Sequence, residues 1–302
     1  MRSIINILDL SAGEIDQLIA VADDIMAQPE KYNEVCRHKI LATLFFEPST
    51  RTRLSFESAM LSLGGQVIGF SGADSSSAVK GETIADTIEV VNGYADIIAM
   101  RHPKEGAPVV ASMHTAVPLI NAGDGGHFHP TQTLADLLTI HHEKGTFDNL
   151  TIGLCGDLKY GRTVHSLLQA LSHFSPEFTF TAPDELKMPQ VYKDFLKEKN
   201  IPYRETSSLT EYLDSADILY MTRIQQERFT DLVEYEKVKN VYSLNSSMLS
   251  GVKPSMKILH PLPRLQEITQ DVDNTEHAYY FKQAENGMYV RMAIISYLLG
   301  KR

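Results

Sequence analysis

Phe45-Phe46-Glu47-Pro48-Ser49-Thr50-Arg51-Thr52-Arg53 joins two contrasting patterns. Leading into it, Ile40 to Phe46 is an apolar run that reads as a buried strand. Pro48 stops the run. After it, Leu54, Phe56, Ala59, Met60, Leu61 and Leu63 give an amphipathic helix that ends at Gly64-Gly65. The hydroxyl and arginine cluster therefore falls on a strand-to-helix turn, at a helix N-terminus. Backbone N–H groups point outward there, and the helix dipole favours negative charge. Hydroxyl donors and a guanidinium added to that geometry suit a phosphate or similar oxyanion. The structural alternative is a plain N-cap with two solvated arginines. The rest of the chain weighs between the two.

The same alternation continues on both sides. Ser11 and Glu14 have capping-box spacing before a stripe of Ile15, Leu18, Ile19, Ala22 and Ile25. Gln66 to Phe70 reads as a strand, followed by a small polar loop that ends at Lys80-Gly81. That loop is either a mobile surface segment or one that closes over an anion; its spacing fails the Walker A pattern. Further apolar runs at 95–100, 117–121, 151–155, 178–181, 217–221 and 257–259 alternate with helical stretches, the last of them Met288 to Leu299 with Tyr289, Met292, Ile295 and Leu299 on one face. Leu209 to Asp214 reads as a short helix. Such alternation is the mark of an α/β class with mostly parallel sheets. It is interrupted near 133–145, where one long helix joins two blocks. The expectation is two domains, each a mostly parallel sheet flanked by helices, joined by a long interdomain helix.

Composition narrows the function. The chain has 302 residues, 43% hydrophobic, and a formal net charge of −10, which argues against nucleic acid or another polyanion as partner. Its two cysteines lie far apart and show no metal-ligand spacing, so no zinc or other metal is expected. Their usage suits a reducing cytoplasm. The N-terminus does not read as a signal peptide, and no apolar run approaches the roughly 20 residues of a membrane span.

Polar groups collect at the ends of the apolar runs: Ser49-Thr50-Arg51-Thr52, Arg101, His129 with Gln132, Arg162-Thr163, Arg223 with Gln225, and Pro261-Leu262-Pro263. In open parallel sheets the ligand lies outside the C-terminal strand ends. Four arginines there, in an acidic protein, call for a strongly anionic ligand with more than one acidic group. No G-x-S-x-G elbow, no cysteine beside a base and no G-x-G-x-x-G turn is present, so neither a covalent nucleophile nor a nicotinamide cofactor is expected. Arginines, hydroxyls, a lysine and a histidine suit direct transfer: they hold a phosphate leaving group and stabilise an oxyanion.

These residues match a known family. Phe45 to Arg53 resembles the carbamoyl-phosphate signature of the aspartate/ornithine transcarbamoylases, and His129-Pro130-Thr131-Gln132 resembles their second signature. Lys80-Gly81-Glu82-Thr83, Met100-Arg101-His102-Pro103, Gly156 to Ser166, Thr222-Arg223-Ile224-Gln225 and His260-Pro261-Leu262-Pro263-Arg264 complete the resemblance, which spans nearly the whole chain. Val79 departs from the pattern of some relatives, which place a second lysine there. The aspartate branch fits better than the ornithine branch. Ornithine enzymes typically carry His-Cys-Leu-Pro where this chain has His260-Pro261-Leu262-Pro263, and Arg162, Arg223 and Lys80 would repel a cationic side chain.

The resemblance implies transfer of a carbamoyl group from carbamoyl phosphate to L-aspartate, the first committed step of pyrimidine biosynthesis. It implies a carbamoyl-phosphate domain over 1–132, with a C-terminal helix at 286–302 packing back on it, a linking helix at 133–149, and an aspartate domain over 150–285. Ser49, Thr50, Arg51, Thr52, Ser76, Arg101, His129, Gln132, Pro261 and Leu262 would bind carbamoyl phosphate. Lys80, Arg162, Thr163, Arg223 and Gln225 would bind aspartate. Arg51, Thr52, Lys80, Arg101 and His129 would be catalytic, with no cofactor. Ser76 and Lys80 would reach a neighbouring subunit's site in a homotrimer, to which separate regulatory chains bind in many relatives. Two other readings stay open: another transcarbamoylase of ornithine type, and a non-catalytic binder of phosphate or dicarboxylates.

Overall fold

The computed structural model describes residues 2–73, 77–226, 229 and 231–301. It divides into two compact units, Met1–Leu138 with Glu285–Arg302, and Thr139–Ala284.

The first unit is built on strands β1 (Ile40–Phe45), β2 (Gln66–Ser71), β3 (Ile97–His102) and β4 (Leu119–Asp124), in the order β2-β1-β3-β4 and all parallel. The β1 run is buried from Leu41 to Phe45: it lies between β2 and β3, and helices cover the sheet faces to which its side chains point, whereas β2 forms an exposed edge. Parallel pairing needs crossovers, here helices α2 (Thr50–Ser62), α3 (Ile84–Val91) and α4 (Ala107–His114); α1 (Ala12–Ala27) precedes β1 and α5 (Pro130–Lys144) follows β4. Glu14 accepts hydrogen bonds from both the backbone N–H and the hydroxyl of Ser11, which closes the α1 N-terminus.

The second unit carries β5 (Thr151–Cys155), β6 (Glu177–Thr181), β7 (Tyr203–Thr206), β8 (Ile218–Met221) and β9 (Lys257–Leu259), in the parallel order β7-β6-β5-β8-β9. Helices α6 (Arg162–Leu171), α7 (Gln190–Glu198) and α8 (Leu232–Val238) connect them. Tyr212, Leu213, Ala216, Leu219, Met256, Ile258 and Tyr280 form part of its core. A last helix, α9 (Tyr280–Leu298), starts in this unit, and its portion from Glu285 onward belongs to the first.

Three sequence expectations need correction. On α2, Leu54 and Leu61 are not on the core face: they are 58% and 60% exposed, while Thr52, Phe56, Ala59 and Met60 are buried. Leu209–Glu211 is a single 3-10 turn rather than a helix reaching Asp214, because Tyr212 and Leu213 turn into the core. Helix α9 begins at Tyr280, not Met288, and is not one-faced: every residue from Val290 to Ser296 is buried, whereas Tyr289 and Leu299 are only half-buried.

Candidate active site

The strand-end groups fall into two sets, one per unit. In the first unit, β1 leads into Phe46-Glu47-Pro48 and then α2, with Ser49 as N-cap. Ser49 is extended, at φ −155° and ψ 97°, and its side chain makes no capping hydrogen bond; no acidic residue occupies the first turn. The α2 N-terminus is therefore left electropositive. Thr50 and Arg51 are exposed and Thr52 is buried beneath them.

Arg101, the penultimate residue of β3, lies beside this turn. It pairs in register with Phe45, and its carbonyl accepts from the Phe46 N–H at 2.9 Å. Its side chain is largely buried. Nη1 donates to the Ala122 carbonyl at 3.4 Å and Nη2 lies 2.9 Å from Glu47 Oε2. Nε finds no hydrogen-bond partner among the described residues. Burial pulls the guanidinium below its usual value, and Glu47 offsets that only in part. A buried cation with an orphan donor is a site that favours an anion.

His129 lies just beyond β4, nearly buried, at the start of α5. Its carbonyl accepts from the N–H groups of Gln132 and Thr133 at 3.0 and 3.3 Å, and Pro130 supplies the fixed φ favoured at a first helical position. The turn before it is organised by Asp124, which sequence reasoning missed. This buried carboxylate accepts from the Gly106 and Phe128 N–H groups and from Asn121 Nδ2, at 2.9 to 3.0 Å. Gln132 donates from Nε2 to Asp136 Oδ1 at 2.8 Å. A carboxylate accepts only, so the amide nitrogen faces Asp136 and Oε1 remains as an acceptor.

The loop lysine is placed differently. Lys80 is exposed, on a 3-10 turn at Ser77–Lys80 after β2, and among the described residues it makes no hydrogen bond to the strand-end groups. Ser76 lies outside the described residues.

In the second unit the polar groups sit at the ends of β5, β8 and β9. The chain leaves β5 toward β6 on one side, while β8 lies on the other, so β5 and β8 flank a topological switch point where α/β sheets bind ligands. Gly156, at φ +115°, lets the two strand ends approach: a Cβ there would lie 2.2 Å from the Thr222 carbonyl oxygen. Thr222 returns the contact, accepting from the Asp157 N–H at 2.9 Å. The loop then closes at Gly161, and half-buried Arg162 and Thr163 open α6. Half-buried Arg223 and Gln225 follow β8, with Gln225 Nε2 3.5 Å from the Tyr160 carbonyl. His165, one turn into α6, is 2.7 Å from the Leu158 carbonyl through Nε2, and its ring stacks on Tyr192 at 4.0 Å. Burial lowers its pKa to about 4.

Beyond β9, Pro261 and Leu262 are half-buried, and Leu262 is held at φ +53°, a costly conformation for a bulky residue. The hydrogen bonds show what enforces it. The Leu262 N–H donates to His260 Nδ1 at 2.8 Å, so Nδ1 carries no proton and Nε2–H donates to Glu267 at 2.8 Å. Burial depresses the His260 pKa further; burial raises that of Glu267, but its hydrogen bonds outweigh this and leave it ionised. Glu267 also accepts from the Leu265 N–H at 3.1 Å. Sequence reasoning singled out neither His260 nor Glu267 as a positioning pair; only the buried contact reveals it.

Family models match both halves: the aspartate/ornithine carbamoyltransferase carbamoyl-P binding domain over residues 2–142, and the Asp/Orn binding domain of the same family over 148–298. The chain belongs to the aspartate/ornithine carbamoyltransferase family. Within that family it is 57% identical over 301 residues to the aspartate carbamoyltransferase catalytic subunit of Clostridium acetobutylicum, covering 99% of this chain and 98% of the relative. It is 58% identical over 295 residues to the Clostridium perfringens catalytic subunit, covering 97% and 96%. Among solved structures, the catalytic subunit of M. jannaschii aspartate transcarbamoylase superposes with a TM-score of 0.93 at 49% identity, covering 99% of this chain and 98% of that one. The second family model extends to residue 298, whereas the portion of α9 from Glu285 packs with the first unit.

Proposed function

We propose that this carbamoyltransferase moves the carbamoyl group of carbamoyl phosphate to the amino group of L-aspartate, giving N-carbamoyl-L-aspartate and phosphate. The observation that carries the choice of amino acid is the pair Arg162, which opens α6 after β5, and Arg223, just beyond the neighbouring strand β8. Two guanidiniums there match two carboxylates and oppose an ornithine ammonium. Relatives named as aspartate carbamoyltransferase catalytic subunits, and a Trypanosoma cruzi aspartate transcarbamoylase structure in complex with carbamoyl phosphate, support the same reading.

In this scheme the α2 N-terminus with Ser49, Thr50, Arg51 and Thr52 holds the phosphate, with Arg101 and with Ser76. Arg101, Thr52 and His129 donate to the carbonyl oxygen as it becomes an oxyanion; each such donor lowers the barrier by about 3 kcal/mol. Gln132 Oε1 and the carbonyls of Pro261 and Leu262 accept from the carbamoyl amino group. Arg162, Thr163, Arg223, Gln225 and Lys80 bind aspartate. The uncharged amine attacks the carbonyl carbon, the C–O bond to phosphate breaks, and the amine proton leaves with phosphate or solvent.

We further propose a homotrimer in which Ser76 and Lys80 serve a neighbour's site. Exposed Leu54 and Leu61, with Ile68 on the open edge β2, support an interface on that side of the first unit. The relatives' designation as catalytic subunits is compatible with separate regulatory chains joining such a trimer. A cytoplasmic location is supported by two buried free cysteines; among the described residues no helix is long and apolar enough to cross a membrane.

Steady-state assays with carbamoyl phosphate and each amino acid separately test the reaction. Phosphate release with aspartate, and none with ornithine, is expected. Turnover with ornithine alone would move the chain to the other branch, and binding without turnover would support a non-catalytic relative.

A further inference from the structure

Arg291 is the one arginine in the run of α9 that is buried throughout, from Val290 to Ser296. It is 4% exposed among Val290, Met292, Ala293 and Ile294. Burial lowers its pKa to about 10, with the charge of Asp136 acting against that shift. A buried guanidinium is a poor stabiliser compared with an apolar side chain of similar size. Its contacts all lead toward the carbamoyl-phosphate half of the site. Nη1 donates to Ser55 Oγ at 3.1 Å, one turn after the Arg51-Thr52 pair. Nη2 donates to Thr131 Oγ1 at 3.4 Å, and the ring of Phe56 lies 5.1 Å from the guanidinium carbon. Gly287, one turn earlier on α9, leaves the room: a Cβ there would lie 2.5 Å from Arg291 Nη1.

Thr131 Oγ1 is also 3.4 Å from His129 Nδ1. A guanidinium donates and never accepts. Thr131 therefore accepts from Arg291, which leaves its hydroxyl proton and a second lone pair to face His129 Nδ1. With the hydroxyl proton on that contact, Nδ1 is bare and the imidazole proton lies on Nε2. The second link runs through Asp136, the buried counter-charge to Arg291, which accepts from Gln132 Nε2 at 2.8 Å.

We propose that Arg291 is a positioning residue for the transfer reaction: through Thr131 it holds His129 as the Nε2–H donor, and through Asp136 it holds Gln132 with its amide oxygen as acceptor. The proposal rests on the carbamoyl-transfer reading for its kinetic consequence but not for its structural one. The geometry supplies one donor for an oxyanion and one acceptor for an amino group, both set by a cation that touches neither substrate. Partners of this outer kind change activity by roughly 10- to 100-fold when removed.

The test combines 15N spectra of histidine-labelled protein with kinetics, using His129→Gln only to assign the His129 signals. In the wild type, His129 should show a protonated Nε2 and a bare Nδ1. Thr131→Val keeps the shape and removes the relay; it should mix the two tautomers and lower kcat roughly tenfold, with KM for aspartate little changed. Arg291→Met should do the same, Arg291→Lys should recover part of the loss, and Gly287→Ala should shift His129 in the same direction by crowding Nη1. If Arg291→Met does not fold, Thr131→Val and Gly287→Ala still decide. A wild-type His129 protonated on Nδ1, or a Thr131→Val protein with unchanged His129 signals and kcat, would overturn the proposal. Absence of any carbamoyl transfer by the wild type would overturn the functional reading instead, and leaves the tautomer result standing on its own.

Discussion

His165 couples protonation to the loop that carries Arg162. Its folded pKa is about 4, depressed by burial from an ordinary value near 6.5. Between those values the unfolded chain binds a proton that the folded chain does not, so stability is fully present above about pH 6.5 and is lost as pH falls toward about 4. The contribution at stake is about 3 kcal/mol. Leu158, whose carbonyl His165 holds, belongs to the 156–161 turn, so the loss should weaken aspartate binding as well. His165→Gln keeps an N–H donor but does not titrate. Urea unfolding at about pH 5 and pH 7.5 should show a smaller pH dependence in the variant. Equal pH dependence in the two proteins would show that His165 is not the group involved.

Elements explain which parts of the site could be read in advance. The strand-to-helix turn at Phe45–Arg53 was legible because Pro48, the apolar run and the helix lie within one stretch of chain. The β5 and β8 ends were legible for the same reason. Asp124, the His260–Glu267 pair and Arg291 were not, since each acts through a partner brought near only by folding: Asp124 through Gly106 and Asn121, His260 through Leu262 and Glu267, Arg291 through Ser55 and Thr131. Leu54 and Leu61 were misread because helical spacing does not tell a core face from a second apolar face turned outward. The close approach of β5 and β8 gives a test at this scale. Gly156→Ala places a methyl group against the Thr222 carbonyl at a positive φ, and should cost about 2 to 3 kcal/mol and raise KM for aspartate. Calorimetry and steady-state kinetics check this; an alanine variant with wild-type Tm and KM would contradict the close-packed switch point.

For the whole molecule, the chain is a two-unit member of the aspartate/ornithine carbamoyltransferase family, with one set of strand-end groups on each unit. The proposed trimer predicts complementation. Chains carrying Lys80→Ala and chains carrying Arg51→Ala should each be inactive as pure assemblies, and dissociating and reassembling them together should restore a fraction of sites. Hybrids that assemble but stay inactive would mean that each site is complete within one chain. Which amine receives the carbamoyl group is measured by a single competition: carbamoyl phosphate labelled with 13C at the carbonyl, incubated with equal concentrations of L-aspartate and L-ornithine and followed by NMR. A labelled ureido carbon appearing on aspartate alone is the predicted result; label appearing in citrulline would contradict the account.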